Sequence, residues 1–365
     1  MRLIVAAHDP GGFNLLIPII EDFQAKNHEV HLLLAGEAKN RWDKRPVYSL
    51  NLFNHQVGSF SCAGFPGEFD VKKWDIDKLI SSIRPDFILT STSINSNIER
   101  YCIRYAKTEK IPNASIIDSW TGNENRFASS FVTAHSDHIL VVDEQMKDVF
   151  SGLERLGCRL IVAGNPHLEQ IRNRRKESFD TAANAEEFSR AVFFSENIFH
   201  YFPKKTVNEF TIIEKIINEY NAPSAIEISI RPHPLEDRRH WYRFVDDHSG
   251  HNAKIKLSVD EYPTIEESTA NAKLTFGISS MALIESSMLG KPTYSFQVDL
   301  PEKENMLYIP FERYGIGRLT TISAVVNAIS SNPVAKEYSD GPDVQSNSAV
   351  KNVADLILNL TLKNA

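Results

Sequence analysis

Cysteine is scarce in this chain. Cys62, Cys102 and Cys158 lie far apart and form no paired motif. That excludes a disulfide framework and a zinc ribbon, and it points to a reducing compartment. A basic surplus is missing too. The net charge of −7 argues against a nucleic-acid binder. No apolar run approaches the length that spans a bilayer, and the stretch from Met1 to Ala7 is too short for a signal peptide and reads as a first strand. There is no HExxH or EF-hand pattern, no solenoid-period repeat and no low-complexity tract. These absences predict a cytoplasmic protein with no metal and no resident cofactor, with peripheral contact at the inner membrane face or with an assembly complex left open. What remains is ordinary: 365 residues, 42% hydrophobic and 24% charged, enough for two domains of common size.

Short apolar runs punctuate the first half at Leu3 to Ala7, Val30 to Ala35, Phe87 to Thr90, Ser115 to Ile117, His138 to Val142 and Leu160 to Ala163. Helical patterns lie between them, such as Leu15 to Ala25. Strands of this kind alternating with helices predict βαβ units and a parallel sheet. The chain then turns polar, with Asn173-Arg174-Arg175-Lys176-Glu177 and Glu186-Glu187. A second alternating set follows from Ala191, through a helix at Val207 to Tyr220 and strands at 225–230 and 273–276. The expectation is an α/β chain: residues 1–170 a Rossmann-like domain, 171–190 a linker, 191–340 a second Rossmann-like domain, and 341–365 a tail and helix. The two sheets would face a central cleft.

Two segments carry the most chemistry. The strand 225–230 runs into Arg231-Pro232-His233-Pro234, where two prolines restrict the backbone around the imidazole. The strand ending at Phe276 runs into Gly277-Ile278-Ser279-Ser280, which delivers two serines to the start of an apolar helix closed by Gly290-Lys291-Pro292. A helix start presents unpaired N–H groups and the positive end of the macrodipole, so it receives phosphate. One serine alone would read as an N-cap. Arg231, His233, Pro234, Ser279 and Ser280 are therefore the candidate phosphate clamp, and Glu285 either holds ribose hydroxyls or faces solvent.

In the first half, His8-Asp9-Pro10-Gly11-Gly12 follows the first strand. It reads either as a plain turn or as a ligand loop, since ligands bind beyond the carboxyl ends of parallel strands. Asp9 is the candidate base for an acceptor hydroxyl, with His8 close behind. The run from Asp118 to Phe127 is polar and aromatic and suits sugar recognition, or else it is a surface loop with Asp118 as a helix cap. Asp118 and Arg126 join His8, Gly11 and Gly12 as substrate-binding candidates. Gly164-Asn165-Pro166-His167 reads as a turn.

Gly277-Ile278-Ser279-Ser280 through Glu285 to Gly290-Lys291-Pro292, with His233-Pro234, resembles the GT-B glycosyltransferase superfamily, and within it bacterial transferases that use CMP-activated acidic sugars (sialyl- and Kdo-transferases of capsule and lipopolysaccharide synthesis). The resemblance is specific over about 231–297. It implies that residues 1–170 are the acceptor domain and 191–340 the donor domain, with the 341–365 helix packing back on the first. It implies too that His233 and Ser279/Ser280 hold the phosphate, that an N-domain carboxylate, Asp9, is the base, and that Glu266 and Glu267 compete with Glu285 for the ribose. The acidic D/E-D/E-G motif of sialyltransferases has no clean match here. The resemblance thus predicts a metal-independent glycosyltransferase that acts on a nucleotide sugar, CMP-linked by preference, and a glycan or lipid-linked acceptor. The alternatives are a nucleotide-sugar 2-epimerase or hydrolase on the same fold, and a non-catalytic partner in polysaccharide assembly.

Overall fold

The computed structural model describes residues 1–43, 52–56, 73–94, 96–120, 126–177, 189–196, 198, 208–234, 236–296, 311–331, 333–335 and 348–363. Cys62, residues 121–125 of the polar run after Asp118, and most of the expected linker lie outside them.

The chain runs β1 (Arg2–Ala7), α1 (Pro10–Ala25), β2 (Glu29–Leu34), α2 (Gly36–Asp43), β3 (Leu52–Gln56), α3 (Lys73–Ile83), β4 (Phe87–Thr90), α4 (Ile98–Glu109), β5 (Asn113–Ile116), β6 (His138–Val141), α5 (Glu144–Val149), β7 (Arg159–Val162) and α6 (Pro166–Glu177). It continues with β8 (Ser189–Phe194), α7 (Glu209–Glu219), β9 (Ile226–Arg231), α8 (Arg238–His248), β10 (Ile255–Val259), α9 (Ile265–Ala270), β11 (Ala272–Gly277), α10 (Met281–Met288), β12 (Thr293–Phe296), β13 (Gly317–Leu319), α11 (Ile322–Ser330) and α12 (Ala349–Leu362). By internal contacts it divides into two compact units, Met1–Gln170 with Pro342–Ala365, and Ile171–Gly341.

The first unit holds a seven-stranded sheet in the order β3-β2-β1-β4-β5-β6-β7, with every paired strand parallel. Leu3, Ile4, Val5, Ala6 and Ala7 are all fully buried, without the alternation of a half-solvated strand. Helices on both faces of a parallel sheet explain that pattern. On one face Leu3, Val5 and Ala7 pack with Phe13, Leu16, Ile19 and Ile20 of α1. Val353, Ala354 and Ile357 of α12 complete this core. On the other face Ile4 and Ala6 pack with Ile76 and Ile80 of α3 and Ile98, Cys102 and Ile103 of α4. The second unit repeats the plan with six parallel strands in the order β10-β9-β8-β11-β12-β13.

Two boundaries differ from those the sequence suggests. Helix α1 starts at Pro10, five residues before the apolar run, because proline's fixed φ suits a first helical position and Asp9 takes an extended N-cap backbone. The charged stretch 172–177 is the end of α6, and Ser189 and Arg190 already belong to β8, so only residues between those elements remain as a connection. No helix among the described residues is long and apolar enough to cross a membrane.

Candidate functional site

In an open parallel sheet the chain leaves its first strand to one side and later returns to the other. The loops at that switch point diverge and leave a crevice at the carboxyl ends of the strands. The strand orders place one such point between β1 and β4 and another between β8 and β11. Each carries a cluster of polar side chains.

At the first edge, His8 and Asp9 follow β1, Ser91 and Thr92 follow β4, and Asp118 follows β5. His8 Nδ1 lies 2.7 Å from Asp9 Oδ1. Burial pulls the His8 pKa down, but the hydrogen bond to Asp9 and the charges of Asp9, Glu99 and Glu37 outweigh it, and the net shift is upward. Beneath them sits Glu99 of α4, 1% exposed, whose Oε1 accepts from His8 N–H (2.9 Å) and Ser91 Oγ–H (3.1 Å). Burial raises the Glu99 pKa, and the charges of His8 and Arg100 oppose the rise. Asp118 Oδ1 accepts from Arg126 Nη1 at 2.7 Å, and the same nitrogen donates to Thr92 Oγ1 at 3.0 Å. The glycines are where other side chains need room. A Cβ on Gly11 would lie 2.3 Å from Asp118 Oδ2, and one on Gly12 would lie 2.6 Å from Ser91 Cβ. His8, Asp9, Gly11, Gly12, Asp118 and Arg126 are therefore brought to one edge, and Asp118 pairs with Arg126.

At the second edge, Gly277 ends β11, and a Cβ there would lie 2.9 Å from Phe194 O of β8. The serine pair divides its work. Ser280 caps α10, its Oγ accepting from Ala282 N–H at 3.2 Å. Ser279 instead donates both its N–H and its hydroxyl to Glu196, which also accepts from Ile278 N–H at 3.0 Å. Burial raises the Glu196 pKa, and the Ser279 hydroxyl and the N–H groups of 278–280 oppose the rise.

On the far side of β8, Glu236 holds the loop that carries His233. Glu236 accepts from His233 N–H, from Ser195 Oγ–H (2.7 Å) and from Trp241 Nε1–H (3.1 Å). Arg231 is engaged as a strut. It donates to Tyr262 O (2.8 Å) and Pro263 O (3.4 Å) and lies 3.5 Å from buried Asp260, which Arg190 approaches to 3.6 Å. Pro234 is exposed in the turn, and Glu285 is half-buried on α10. Glu266 is ion-paired with Arg174 at 2.9 Å.

Sequence reasoning misses Ser91, Thr92, Glu99, Glu196 and Glu236. The small polar run Thr90-Ser91-Thr92-Ser93 directly after an apolar strand is the one usable signal among them. Asn165 Oδ1 accepts from Leu168 N–H at 3.0 Å, so that segment is a helix-opening turn. Among the described residues no group of three or more His, Cys, Asp or Glu is arranged to hold a metal ion.

No protein-family model matches the chain, and no curated protein matches it. Solved structures do. The UDP-GlcNAc 2-epimerase from Methanocaldococcus jannaschii, in complex with UDP-GlcNAc and UDP, superposes with a TM-score of 0.63 at 15% identity over 98% of this chain and 100% of that one. The glycotransferase of kitacinnamycin gives 0.61 at 12% over 98% of each chain. Acinetobacter baumannii MurG gives 0.55 at 9% over 98% of this chain and 99% of that one. With two Rossmann-like parallel sheets in one chain and these neighbours along its whole length, the protein has the GT-B fold.

Proposed function

We propose that the protein is a glycosyltransferase that takes its sugar from a nucleotide-activated donor, CMP-linked and acidic by preference, for a glycan or lipid-linked acceptor in surface polysaccharide synthesis. One observation carries the reading. At the switch point of the second unit, the serine turn that leads into α10 and the loop that carries His233 follow β11 and β9, the two strands that flank β8. A helix start and an imidazole are the groups that stabilise charge building on a leaving phosphate.

The first unit would supply the acceptor chemistry. Asp9, held by His8, is the base for the attacking hydroxyl. Asp118 and Arg126, locked to each other, orient hydroxyl or anionic groups of the acceptor. Glu285, half-buried on α10, and Glu266, paired with Arg174, are the carboxylates proposed for the ribose. Arg231, occupied by Tyr262, Pro263 and Asp260, supports the loop rather than the phosphate.

Calorimetry with CMP, CDP, UDP and GDP on the wild type and on His233→Ala tests this. CMP binding that weakens tenfold or more in the variant, about 1.4 kcal/mol, is the expected result. Failure of all four nucleotides to bind sinks it and leaves the assembly-partner reading. The UDP-GlcNAc 2-epimerase from Methanocaldococcus jannaschii, alike in fold along the whole chain, favours one competitor, a nucleotide-sugar 2-epimerase. Turnover of a nucleotide sugar with no acceptor present would select it.

A further inference from the structure

The dipeptide Ser195-Glu196 leaves β8 between the two loops of the second edge and is bonded to both. Ser195 N–H donates to Arg231 O at 3.0 Å, and Ser195 Oγ–H donates to Glu236, which holds the His233 loop. Glu196 turns the other way. Its Oε1 accepts from the N–H groups of Ile278 and Ser279, and its Oε2 accepts from the Ser279 hydroxyl. Successive backbone N–H groups converging on one anion form a nest, the feature that elsewhere seats phosphates. Here the chain fills its own nest. Strands β9 and β11 flank β8, so the His233 loop and the serine turn spring from positions two strand spacings apart, each spacing about 4.8 Å. Glu196 occupies the serine side of that interval.

We infer that Glu196 sets the phosphate count of the donor: it takes the oxyanion seat in the turn that leads into α10, so the site accepts a nucleoside monophosphate-linked sugar and gains nothing from the second phosphate of a diphosphate. The inference rests on the nucleotide-sugar reading of this edge and deepens it. Two physical effects act in the same direction. A carboxyl group seated in the nest excludes a phosphoryl oxygen from the same donors whether or not it is ionised. When ionised, it also repels a second phosphate at close range. Ser279 is consequently a holder of Glu196, and the leaving phosphate is left to His233 and Ser280.

The test is calorimetric titration of CMP, CDP, UMP and UDP into the wild type, Glu196→Ala and Glu196→Gln, comparing mono- and diphosphate on the same base. The wild type should bind each monophosphate at least as tightly as its diphosphate. Glu196→Ala empties the seat and should tighten diphosphate binding tenfold or more while moving the monophosphates less than threefold. Glu196→Gln keeps the seat filled without the charge and should lie between the two, closer to the wild-type ratio, which guards against a misfolded alanine variant. A wild type that already prefers the diphosphate tenfold overturns the inference without any variant. So does a gain in Glu196→Ala shared equally by both classes, which would make Glu196 a lid displaced by any phosphate. A loss for both would make it a brace, and a glutamine variant that behaves like alanine would leave charge alone as the cause; either result also refutes the inference. Binding with an unchanged ratio defeats this inference alone. No binding of any nucleotide to any form defeats the proposed function with it.

Discussion

Replacing Gly11 by alanine tests whether the first edge is a built constellation or a turn with polar residues nearby. Gly11 is the second residue of α1, where alanine is intrinsically better than glycine by about 0.5–1 kcal/mol. Against that gain, the new methyl would stand 2.3 Å from Asp118 Oδ2 and 3.4 Å from its Cγ. Relief to ordinary contact needs a shift on the order of an ångström. Asp118 is not at liberty to make that shift, because Arg126 holds its other oxygen at 2.7 Å and both side chains are mostly buried, at 17% and 11% exposed. Overpacking costs about 1–3 kcal/mol, and loss of a hydrogen bond to a charged group costs about 1.5–3. Net of the helix gain, either cost alone makes Gly11→Ala destabilising by up to about 2.5 kcal/mol, at about 2–4 °C in melting temperature per kcal/mol for a unit of this size. The assay is a double-mutant cycle with Asp118→Ala, read by thermal and urea melts. With Asp118 truncated, the clash is gone and Gly11→Ala should become neutral or stabilising. An equal cost in both backgrounds would refute the packing argument.

Two further perturbations probe each edge. The His8–Asp9 pair makes a prediction with a definite sign: because the folded His8 pKa is raised above its ordinary 6.5, the stability the pair adds is complete below that value and disappears as pH climbs through the folded one. Melting curves of the wild type and Asp9→Asn should therefore be furthest apart at the acidic end of the range from 6.5 upward and converge at alkaline pH, and a gap that widens with pH contradicts the assignment. In the second unit, Asp260→Ala would strand the guanidiniums of Arg190 and Arg231 beside a fully buried position. A loss of about 3–5 kcal/mol in a urea titration is expected, and a loss under about 1 kcal/mol would show that the arginines find other partners.

The sheets were legible because a strand buried on both faces writes itself as an unbroken apolar run, as in Leu3 to Ala7 and Ala191 to Phe194. The start of α1 was not, since Pro10-Gly11-Gly12 has turn composition and its glycines answer to Asp118 and Ser91, more than a hundred and nearly eighty residues away. The same holds for the candidate site. As candidates, His233, Ser279 and Ser280 were visible through local motif and position. Glu196 and Glu99 were not, because a carboxylate carries no mark in the sequence of the donors it will meet. Arg231 looked like a phosphate ligand until its partner Asp260 was placed beside it. Local chemistry shows which groups are available, and only tertiary structure shows which are already taken.

Helix α12 has a consequence for how the molecule is made. Val353, Ala354 and Ile357 belong to the core that Leu3, Val5 and α1 begin, yet the whole of the second unit is translated between them. On the ribosome the second unit is therefore complete, and free to fold, while the first still exposes an apolar stripe along α1. Chains stalled just short of residue 349 should be the ones that chaperones hold and proteases cut, with the damage falling on the half that was synthesised first.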